Sequence, residues 1–205
     1  MVKIIIFHME ENTYKPLFIN NVMTFPKDAK KIYGGQIFEV YEWNQKLFNG
    51  DMVVYEGIKR RPTVQVIAIH KNKIVLLKES QALNLNKISI PGGQIEDDEE
   101  PKTAAIRELK EETGMVAEEM LLWREWEFSS KIQWEAYYFI AKNCKKVSEL
   151  NLDPGEMIEP YDVTFEELFN ETEKPNFRNR TFTNWLYRIK HDKKELEGFK
   201  KLLGL

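Results

Sequence analysis

The 205-residue chain is long enough for one domain of ordinary size, or for one domain with a small appendage. Its formal net charge of -3 gives no overall bias toward nucleic acid or an acidic membrane surface. Hydrophobic residues make up 42% of the chain, which supports a packed core. No apolar run approaches the roughly 18 residues that a membrane-spanning helix needs. The single cysteine, Cys144, excludes an internal disulfide and fits a reducing compartment. Because the sequence also shows no basic-then-apolar leader, we expect a soluble, cytoplasmic protein.

Strand patterns dominate the first part of the chain. An apolar run at residues 2–7 predicts a strand, and a loop-like section that contains Pro16 and Pro26 is expected to follow it. Polar and apolar residues then alternate at 36–43, and a second strand-like run lies at 52–58. Because Asn49-Gly50 between them is a strong signal for a two-residue hairpin turn, the two runs predict a small antiparallel sheet.

The rest of the chain mixes strands and helices. Further strands are predicted at residues 63–69, 73–78, 88–90, 121–128, 132–141 and 158–163. Lys71-Asn72 connects the first two as a hairpin, and Pro160 suggests that the last lies at a sheet edge. Thr164 and Glu167 form a capping-box pattern that begins a helix, and residues 180–203 predict one amphipathic helix or two.

A helix is also predicted between Pro101 and Gly114. Proline suits the first helical turn, where its missing N–H group costs nothing, and glycine suits a left-handed C-terminal cap. The apolar stripe of this helix consists of Ala105, Ile106 and Leu109. The sequence therefore specifies both the ends of this helix and the face that it buries.

Three carboxylates crowd one side of this helix. Glu108 and Glu112 are spaced i, i+4, and Glu108 and Glu111 are spaced i, i+3. Like charges at this spacing weaken an isolated helix by roughly 0.2–0.5 kcal/mol per pair. A hard divalent cation such as Mg²⁺ would reverse that penalty because it prefers carboxylate oxygen, so the pattern indicates a metal site. An ordinary solvated acidic face is the alternative.

The motif resembles the Nudix box, a loop–helix–loop signature. The matching residues, in order and at the spacing of that family, are Gly93, Glu99, Arg107, Glu108, Leu109, Glu111, Glu112, Gly114 and Met115. The resemblance implies an α+β Nudix fold, with a mixed β-sheet in an α/β/α sandwich preceded by a small antiparallel sheet. It implies an N-terminal extension with the small sheet at 1–58 and a Nudix hydrolase domain with a C-terminal helix at 59–205.

Over residues 33–170 the order of elements is similar to the ADP-ribose pyrophosphatase branch of that superfamily. The resemblance implies Mg²⁺-dependent hydrolysis of the pyrophosphate bond in a nucleoside diphosphate linked to another moiety, such as ADP-ribose or another nucleotide sugar. Mn²⁺ is the alternative metal. In that branch the leading sheet helps to build a dimer and part of the substrate pocket, so we expect a homodimer.

The resemblance also assigns roles to individual residues. Metal-binding and catalytic carboxylates are implied at Glu108, Glu111, Glu112 and Glu156, with the backbone carbonyl of Gly92 as a further ligand. For the carboxylate at the Pro-Gly turn, Asp153 is the second candidate, and an ordinary acidic turn is the alternative. Structural roles within the motif are implied for Gly93, Glu99, Arg107 and Gly114, with Arg107 paired to Glu99 or to a neighbouring carboxylate.

Substrate contacts are expected from aromatic and basic side chains ahead of the motif. Tyr33 and Phe38 lie where a ring could reach a base, and Arg60 and Arg61 lie where they could contact the pyrophosphate. Packing of the aromatic rings and a solvated basic turn are the alternatives. The chain departs from the ADP-ribose branch in having no proline at 128–131 and no arginine at 78–81, which is compatible with a different nucleotide sugar or a dinucleotide.

Two other functions stay open. A Nudix hydrolase of nucleoside triphosphates or dinucleoside polyphosphates would use the same metal chemistry, although the leading sheet favours a nucleotide sugar. A nucleotide-sensing domain that has lost catalysis is the third possibility, and the intact pairs Arg107-Glu108 and Glu111-Glu112 argue against it. In each case the expected partner is a small-molecule nucleotide, with no nucleic acid and no membrane.

Overall fold

A computed structural model of the protein describes residues 4–10, 13–19, 25–128 and 131–205. The strands in chain order are β1 (Ile4–Glu10), β2 (Thr13–Ile19), β3 (Lys30–Gly34), β4 (Phe38–Lys46), β5 (Met52–Arg60), β6 (Thr63–His70), β7 (Lys73–Gln81), β8 (Asn84–Ser89), β9 (Met115–Val116), β10 (Glu119–Phe128), β11 (Ile132–Lys142), β12 (Lys145–Lys146) and β13 (Met157–Val163). The helices are α1 (Pro101–Thr113), α2 (Phe165–Glu173), α3 (Arg180–Lys190) and α4 (Lys193–Leu203).

Strand pairing is mixed, because β11 runs parallel to β5 whereas β4 and β5, and β7 and β13, are antiparallel. The presence of both kinds of strand pairing together with four helices among the described residues confirms the predicted α+β class. Among the described residues, we find no helix with both the length and the hydropathy of a transmembrane span.

The chain divides into two compact units, and β10 and β11 contribute residues to both. The first unit comprises residues 1–63 and 123–137, and the second comprises residues 64–122 and 138–205. The predicted helices all lie in the second unit, and so does the motif from Gly93 to Met115.

In the first unit, β3, β4 and β5 form an antiparallel sheet. The predicted hairpin is therefore confirmed, but its two-residue turn is wrong, because the ladder ends at the pair Lys46–Met52 and residues 47–51 form the connection. The N–H of Leu47 donates to the carbonyl of Asp51 at 2.8 Å and closes this wider turn. Gly50, with φ 95°, supplies the left-handed conformation within it.

A separate two-stranded sheet, β1 with β2, also belongs to the first unit. The predicted strand at 2–7 is seen from Ile4 onward, and its first two residues lie outside the described part of the chain. The loop expected around Pro16 is wrong, since Pro16 lies inside β2 opposite Phe7. Both strands of a two-stranded sheet are edges, where a residue without an N–H group is tolerated.

In the second unit, β7 pairs antiparallel with β13, β6 and β8. Lys71 and Asn72 both have positive φ, 48° and 60°, and form the predicted two-residue turn between β6 and β7. The strand β13 ends the sheet order and places Pro160 opposite Leu77, which confirms the predicted edge position. The buried run Ile74–Leu77 makes β7 the centre of this unit's core.

The C-terminal helices pack as short amphipathic elements. The capping box at the start of α2 is confirmed, because the N–H of Glu167 donates to Thr164 Oγ1 at 3.1 Å and the N–H of Thr164 donates to Glu167 Oε2 at 2.8 Å. Residues 180–203 form two helices rather than one. Asp192 lies between them and caps α4, because its side chain accepts hydrogen bonds from the N–H groups of Lys194 and Glu195.

Candidate active site

A glycine turn follows β8 and is held against β6. The carbonyl of Pro91 accepts from the N–H of Val66 at 2.7 Å, and the carbonyl of Gly93 accepts from the N–H of Val64 at 2.9 Å. At Gly92, where φ is 151°, a Cβ atom would lie 2.2 Å from the carbonyl oxygen of Val64. Backbone therefore occupies the space that any side chain at Gly92 would need.

The helix α1 follows this turn and carries the carboxylates. It begins at Pro101 and ends in a left-handed cap at Gly114, with φ 69°, as predicted. The predicted apolar stripe is partly wrong: Ala105 and Leu109 are buried, but Ile106 is 46% exposed. Successive residues turn by about 100° around a helix, and this one step takes Ile106 off the face that Ala105 and Leu109 bury.

Arg107 connects the helix to the loop that precedes it. Its Nε and Nη2 donate to the two carboxylate oxygens of Glu99 at 3.0 and 2.9 Å, and Nη2 also donates to the carbonyl of Gln94 at 2.9 Å. Its Nη1 donates to Glu108 at 2.8 Å and to Glu111 at 3.0 Å. These hydrogen bonds raise the pKa of Arg107, and the two-point pairing with Glu99 fixes the guanidinium plane.

Glu108 and Glu112 are the two carboxylates that α1 turns inward. Burial raises the pKa of Glu108 to about 7, although Arg107 opposes the change. Burial also raises the pKa of Glu112 well above its ordinary value, against a hydrogen bond of 2.7 Å that the Gly92 N–H donates to Glu112 Oε2. A Cβ atom at Gly93 would lie 2.3 Å from Glu108 Oε1, so this glycine leaves room for the carboxylate.

Glu111 points differently from its two neighbours on the helix. Its side chain is 34% exposed, and its carboxylate accepts a hydrogen bond from Arg107 Nη1 at 3.0 Å. It nevertheless repels Glu108 and contributes to raising the pKa of that carboxyl group. Of the three predicted carboxylates on α1, Glu108 and Glu112 therefore point inward, and Glu111 lies at the rim of the site.

The structure brings Glu156 to this carboxylate group from a distant part of the chain. Glu156 precedes β13, and its Oε1 accepts a hydrogen bond from Gln81 Nε2 at 2.7 Å. Burial is the main cause that raises the pKa of Glu156, and repulsion from Asp153 raises it further. Glu156 in turn repels both Glu108 and Glu112. Asp153, the second candidate, is exposed.

Glu79 on β7 is a further carboxylate of this site, and it is not among the residues predicted from the sequence. It is 5% exposed, and Arg178 Nη1 donates to its Oε1 at 2.5 Å. It repels Glu112 and Glu156. Strand alternation places Glu79 on the same face as Val75 and Leu77, which is the signal that could have identified it. We call Glu79, Glu108, Glu112 and Glu156 the acidic cluster.

The chemistry of the acidic cluster fits a divalent cation. Its carboxylates are buried or half-buried and repel one another, and a hard cation would neutralise them through oxygen ligands. Within residues 4–10, 13–19, 25–128 and 131–205, however, no three His, Cys, Asp or Glu side chains are already gathered in a ready-made metal site. The acidic cluster supplies carboxylate donors, but their side chains would have to move closer together to complete the coordination of a cation.

Without divalent cation, the free energy of unfolding should fall as pH rises from about 4.5 through about 7. In this window the folded protein keeps a proton on Glu108 that the unfolded chain has already lost. Urea unfolding in EDTA at about pH 5 and about pH 8 measures the loss, which should reach a few kcal/mol. Glu108→Gln should show a smaller loss than wild type, and equal losses would contradict the raised pKa.

The predicted substrate contacts lie in the first unit, whereas the acidic cluster lies in the second. Tyr33 on β3 and Phe38 on β4 are 61% and 47% exposed, so neither is a core residue of its unit. The guanidinium of Arg60 lies over the ring of Trp134, 4.3 Å from its centroid. The N–H of Arg61 donates to the carbonyl of Ile37 at 3.3 Å.

Comparison with known proteins identifies the motif. The model of the NUDIX domain matches residues 59–186. An ADP-ribose pyrophosphatase of Bacillus subtilis (strain 168) is 30% identical over 145 residues, which are 67% of this chain and 77% of that protein. A methanol dehydrogenase activator of Bacillus methanolicus is 30% identical over 150 residues, which are 68% of this chain and 77% of that protein.

A solved structure shows the same fold. The crystal structure of an ADP compounds hydrolase superposes with a TM-score of 0.66 at 20% identity, and the match covers 82% of this chain and 94% of that one. Together with the family match, this confirms the predicted Nudix fold. The chain belongs to the Nudix family and is a Nudix pyrophosphohydrolase.

Proposed function

We propose that the protein uses Mg²⁺ to hydrolyse the pyrophosphate bond of a nucleoside diphosphate linked to another moiety. With ADP-ribose or another nucleotide sugar, the products are a nucleoside monophosphate and a sugar phosphate. The observation that carries the proposal is the convergence of Glu108, Glu112 and Glu156, whose pKa values are all raised, at the family motif. The 30% identity to a protein named ADP-ribose pyrophosphatase supports the substrate class.

The metal site of this proposal consists of Glu108, Glu112 and Glu156, with Glu111 at its rim and the carbonyl of Gly92 beside it. These residues would hold Mg²⁺, or Mn²⁺ in its place, and the cation would supply positive charge for the pyrophosphate and would acidify a water molecule. A substrate that carries two phosphates is strongly anionic, so the carboxylates alone would repel it. The proposal therefore requires the cation for binding as well as for chemistry.

One hydrogen-bond donor holds each of these carboxylates in place. The Gly92 N–H holds Glu112, Arg107 holds Glu108, and Gln81 holds Glu156. Preorganised groups of this kind need not be reoriented during the reaction, which lowers the barrier. We assign to Glu156 the orientation of the attacking water, and to Arg107 and Glu99 the rigidity of the loop before α1.

Replacing Glu156 with Gln should lower kcat by roughly 100-fold and change KM much less, because a group that orients water acts mainly in the transition state. Steady-state kinetics at saturating Mg²⁺ measures both constants. The matched control is Asp153→Asn in the same turn, which is exposed and should leave kcat within a few-fold of wild type. If both variants keep kcat near wild type, Glu156 is only a turn residue.

We assign residues 1–58 to an N-terminal extension that serves dimerisation and the substrate pocket, with Tyr33 and Phe38 as stacking groups for the base. Their exposure leaves both rings accessible. Arg60 and Arg61 are the proposed phosphate contacts. A cytoplasmic location stays a prediction.

The protein should form a homodimer through the first unit. Seven large apolar side chains on β3, β4, β5 and the β3–β4 turn are exposed in the single chain: Ile32, Tyr33, Ile37, Phe38, Met52, Val54 and Ile58. An exposed apolar patch of this kind marks an interaction surface. Sedimentation at micromolar concentration should give twice the 24.3 kDa mass of one chain.

Val54→Lys should shift this equilibrium toward monomer, because Val54 shares one face of β5 with Met52 and Ile58. Leu83→Lys is the matched control, since Leu83 is 95% exposed in the turn between β7 and β8 of the second unit. A wild-type chain that sediments only as a monomer would contradict the dimer.

A second enzymatic function, hydrolysis of nucleoside triphosphates or dinucleoside polyphosphates, is distinguished by its products. A panel of nucleotide sugars, triphosphates and dinucleotides, each with Mg²⁺, should yield a nucleoside monophosphate and a sugar phosphate from a nucleotide sugar. Release of pyrophosphate from a triphosphate as the fastest reaction would favour the second function. Binding of nucleotides without any turnover would favour the sensing domain.

A further inference from the structure

The chain segment before α3 docks on β8, the strand that leads into the glycine turn. Ile88 donates its N–H to the carbonyl of Asn176 at 3.1 Å, and its carbonyl accepts from the N–H of Arg178 at 2.8 Å. Phe177 between them is 1% exposed and forms a parallel bridge with Ile88. The backbone of residues 176–178 is therefore fixed beside the strand, and the side chain of Arg178 starts from a defined position.

Arg178 uses that position to hold Glu79. Its Nη1 donates to Glu79 Oε1 at 2.5 Å, while the Arg178 side chain as a whole is 42% exposed. Glu79 is 5% exposed, so its carboxylate has lost most of its hydration and depends on this partner. The pair joins β7 to the segment before α3 across 99 positions of sequence.

Glu79 lies beside carboxylates that the proposed function assigns to the metal. It repels Glu112 and Glu156. Its neighbour on β7, Gln81, donates to Glu156 at 2.7 Å, and Ile158, two residues beyond Glu156, is paired with Glu79 across the β7–β13 ladder. A carboxylate in this place is a potential additional ligand of any cation that the others hold.

We propose that Arg178 is a positioning residue that acts through Glu79: it neutralises Glu79 and keeps it out of the ligand set formed by Glu108, Glu112 and Glu156. The inference rests on the proposed metal-dependent function. Its consequence is that loss of Arg178 leaves the negative charge of Glu79 uncompensated beside the other carboxylates, so the cation is held more tightly. A purely structural ion pair would lower stability and leave cation affinity unchanged.

The test measures Mn²⁺ binding to the free, full-length protein by electron paramagnetic resonance, without substrate. Arg178→Gln should bind Mn²⁺ roughly tenfold more tightly than wild type, which corresponds to about 1.4 kcal/mol, because the uncompensated charge of Glu79 would attract a divalent ion in a partly buried site. Arg178→Lys keeps the charge and should restore affinity to within about twofold of wild type.

The double variant Glu79→Gln/Arg178→Gln keeps the inference testable if Arg178→Gln folds poorly, because it leaves no unpaired buried charge. It should bind Mn²⁺ with the affinity of Glu79→Gln alone, as expected when Arg178 acts through Glu79. The matched control is Arg188→Gln, which breaks an exposed ion pair with Glu195 at 2.9 Å and should leave Mn²⁺ affinity unchanged.

Two results would overturn the inference and leave the proposed metal-dependent function standing. One is an unchanged Mn²⁺ affinity in Arg178→Gln, and the other is tighter binding that persists in the Glu79→Gln background. A wild-type protein that binds no Mn²⁺ would instead refute the proposed metal-dependent function, and the inference with it. Unfolding curves recorded on the same variants separate a loss of stability from the change in affinity.

Discussion

Glu112→Gln should lower kcat for pyrophosphate hydrolysis by roughly 100-fold or more and leave the protein folded. The loss is expected because the amide cannot supply the negative charge that a divalent cation requires. The fold should persist because the substitution removes one charge from a group of mutually repelling carboxylates, of which Glu112 is the most deeply buried member on α1. The hydrogen bond from the Gly92 N–H can pass to the amide oxygen.

The measurement combines steady-state kinetics at saturating Mg²⁺ with a urea unfolding curve for the same preparation. Glu159→Gln is the matched control, since this glutamate on β13 is 71% exposed and pairs with Lys78 at 3.5 Å. It should keep wild-type kinetics. A near-wild-type rate in Glu112→Gln would refute the assignment of Glu112 to the metal.

Gly92→Ala should destabilise the protein by about 3 kcal/mol or more and abolish most activity. The new Cβ atom would lie 2.2 Å from the carbonyl oxygen of Val64 and 2.9 Å from the Cα atom of Gln65, and both are backbone atoms that cannot rotate away. The φ of 151° adds backbone strain for any residue with a side chain. Relief of the clash requires the turn to move, and Glu112 is bonded to that turn.

Gly155→Ala separates the effect of the Cβ clash from the effect of backbone strain at positive φ. Gly155 also has a positive φ, 94°, but a Cβ atom there meets nothing within 4 Å. Its substitution should therefore cost only about 1–2 kcal/mol of backbone strain. Chemical unfolding of both variants gives the comparison, and equal losses of stability would show that the clash with β6 is not the main cause.

The sequence predicted those parts of the molecule whose physical causes are local. The ends of α1 follow from Pro101 and Gly114, and the capping box of α2 follows from Thr164 and Glu167, all within a few residues of the structure that they specify. The spacing of the carboxylates on α1 predicts their common side of the helix for the same reason. The error at Ile106 is also local, since a stripe of three residues leaves the centre of the buried face uncertain by one position.

What the sequence did not predict depends on contacts between distant segments. Glu79 is an ordinary strand residue until Arg178 reaches it from 99 positions away. The first-unit hairpin looked like a small separate sheet, because its parallel pairing with Ile132 and Gln133 of β11 leaves no mark in the local pattern. The pattern around Pro16 predicts a loop, because the antiparallel partner that makes β2 a strand cannot be seen in the sequence of β2 itself.

The most direct test of the central claim is ³¹P nuclear magnetic resonance of wild-type protein incubated with ADP-ribose and other nucleotide sugars. With Mg²⁺, the diphosphate signals of at least one substrate should be replaced by those of two phosphate monoesters, a nucleoside monophosphate and a sugar phosphate. EDTA should stop the conversion. Failure to cleave any nucleotide sugar with Mg²⁺ or Mn²⁺, or cleavage that EDTA does not affect, would contradict the account.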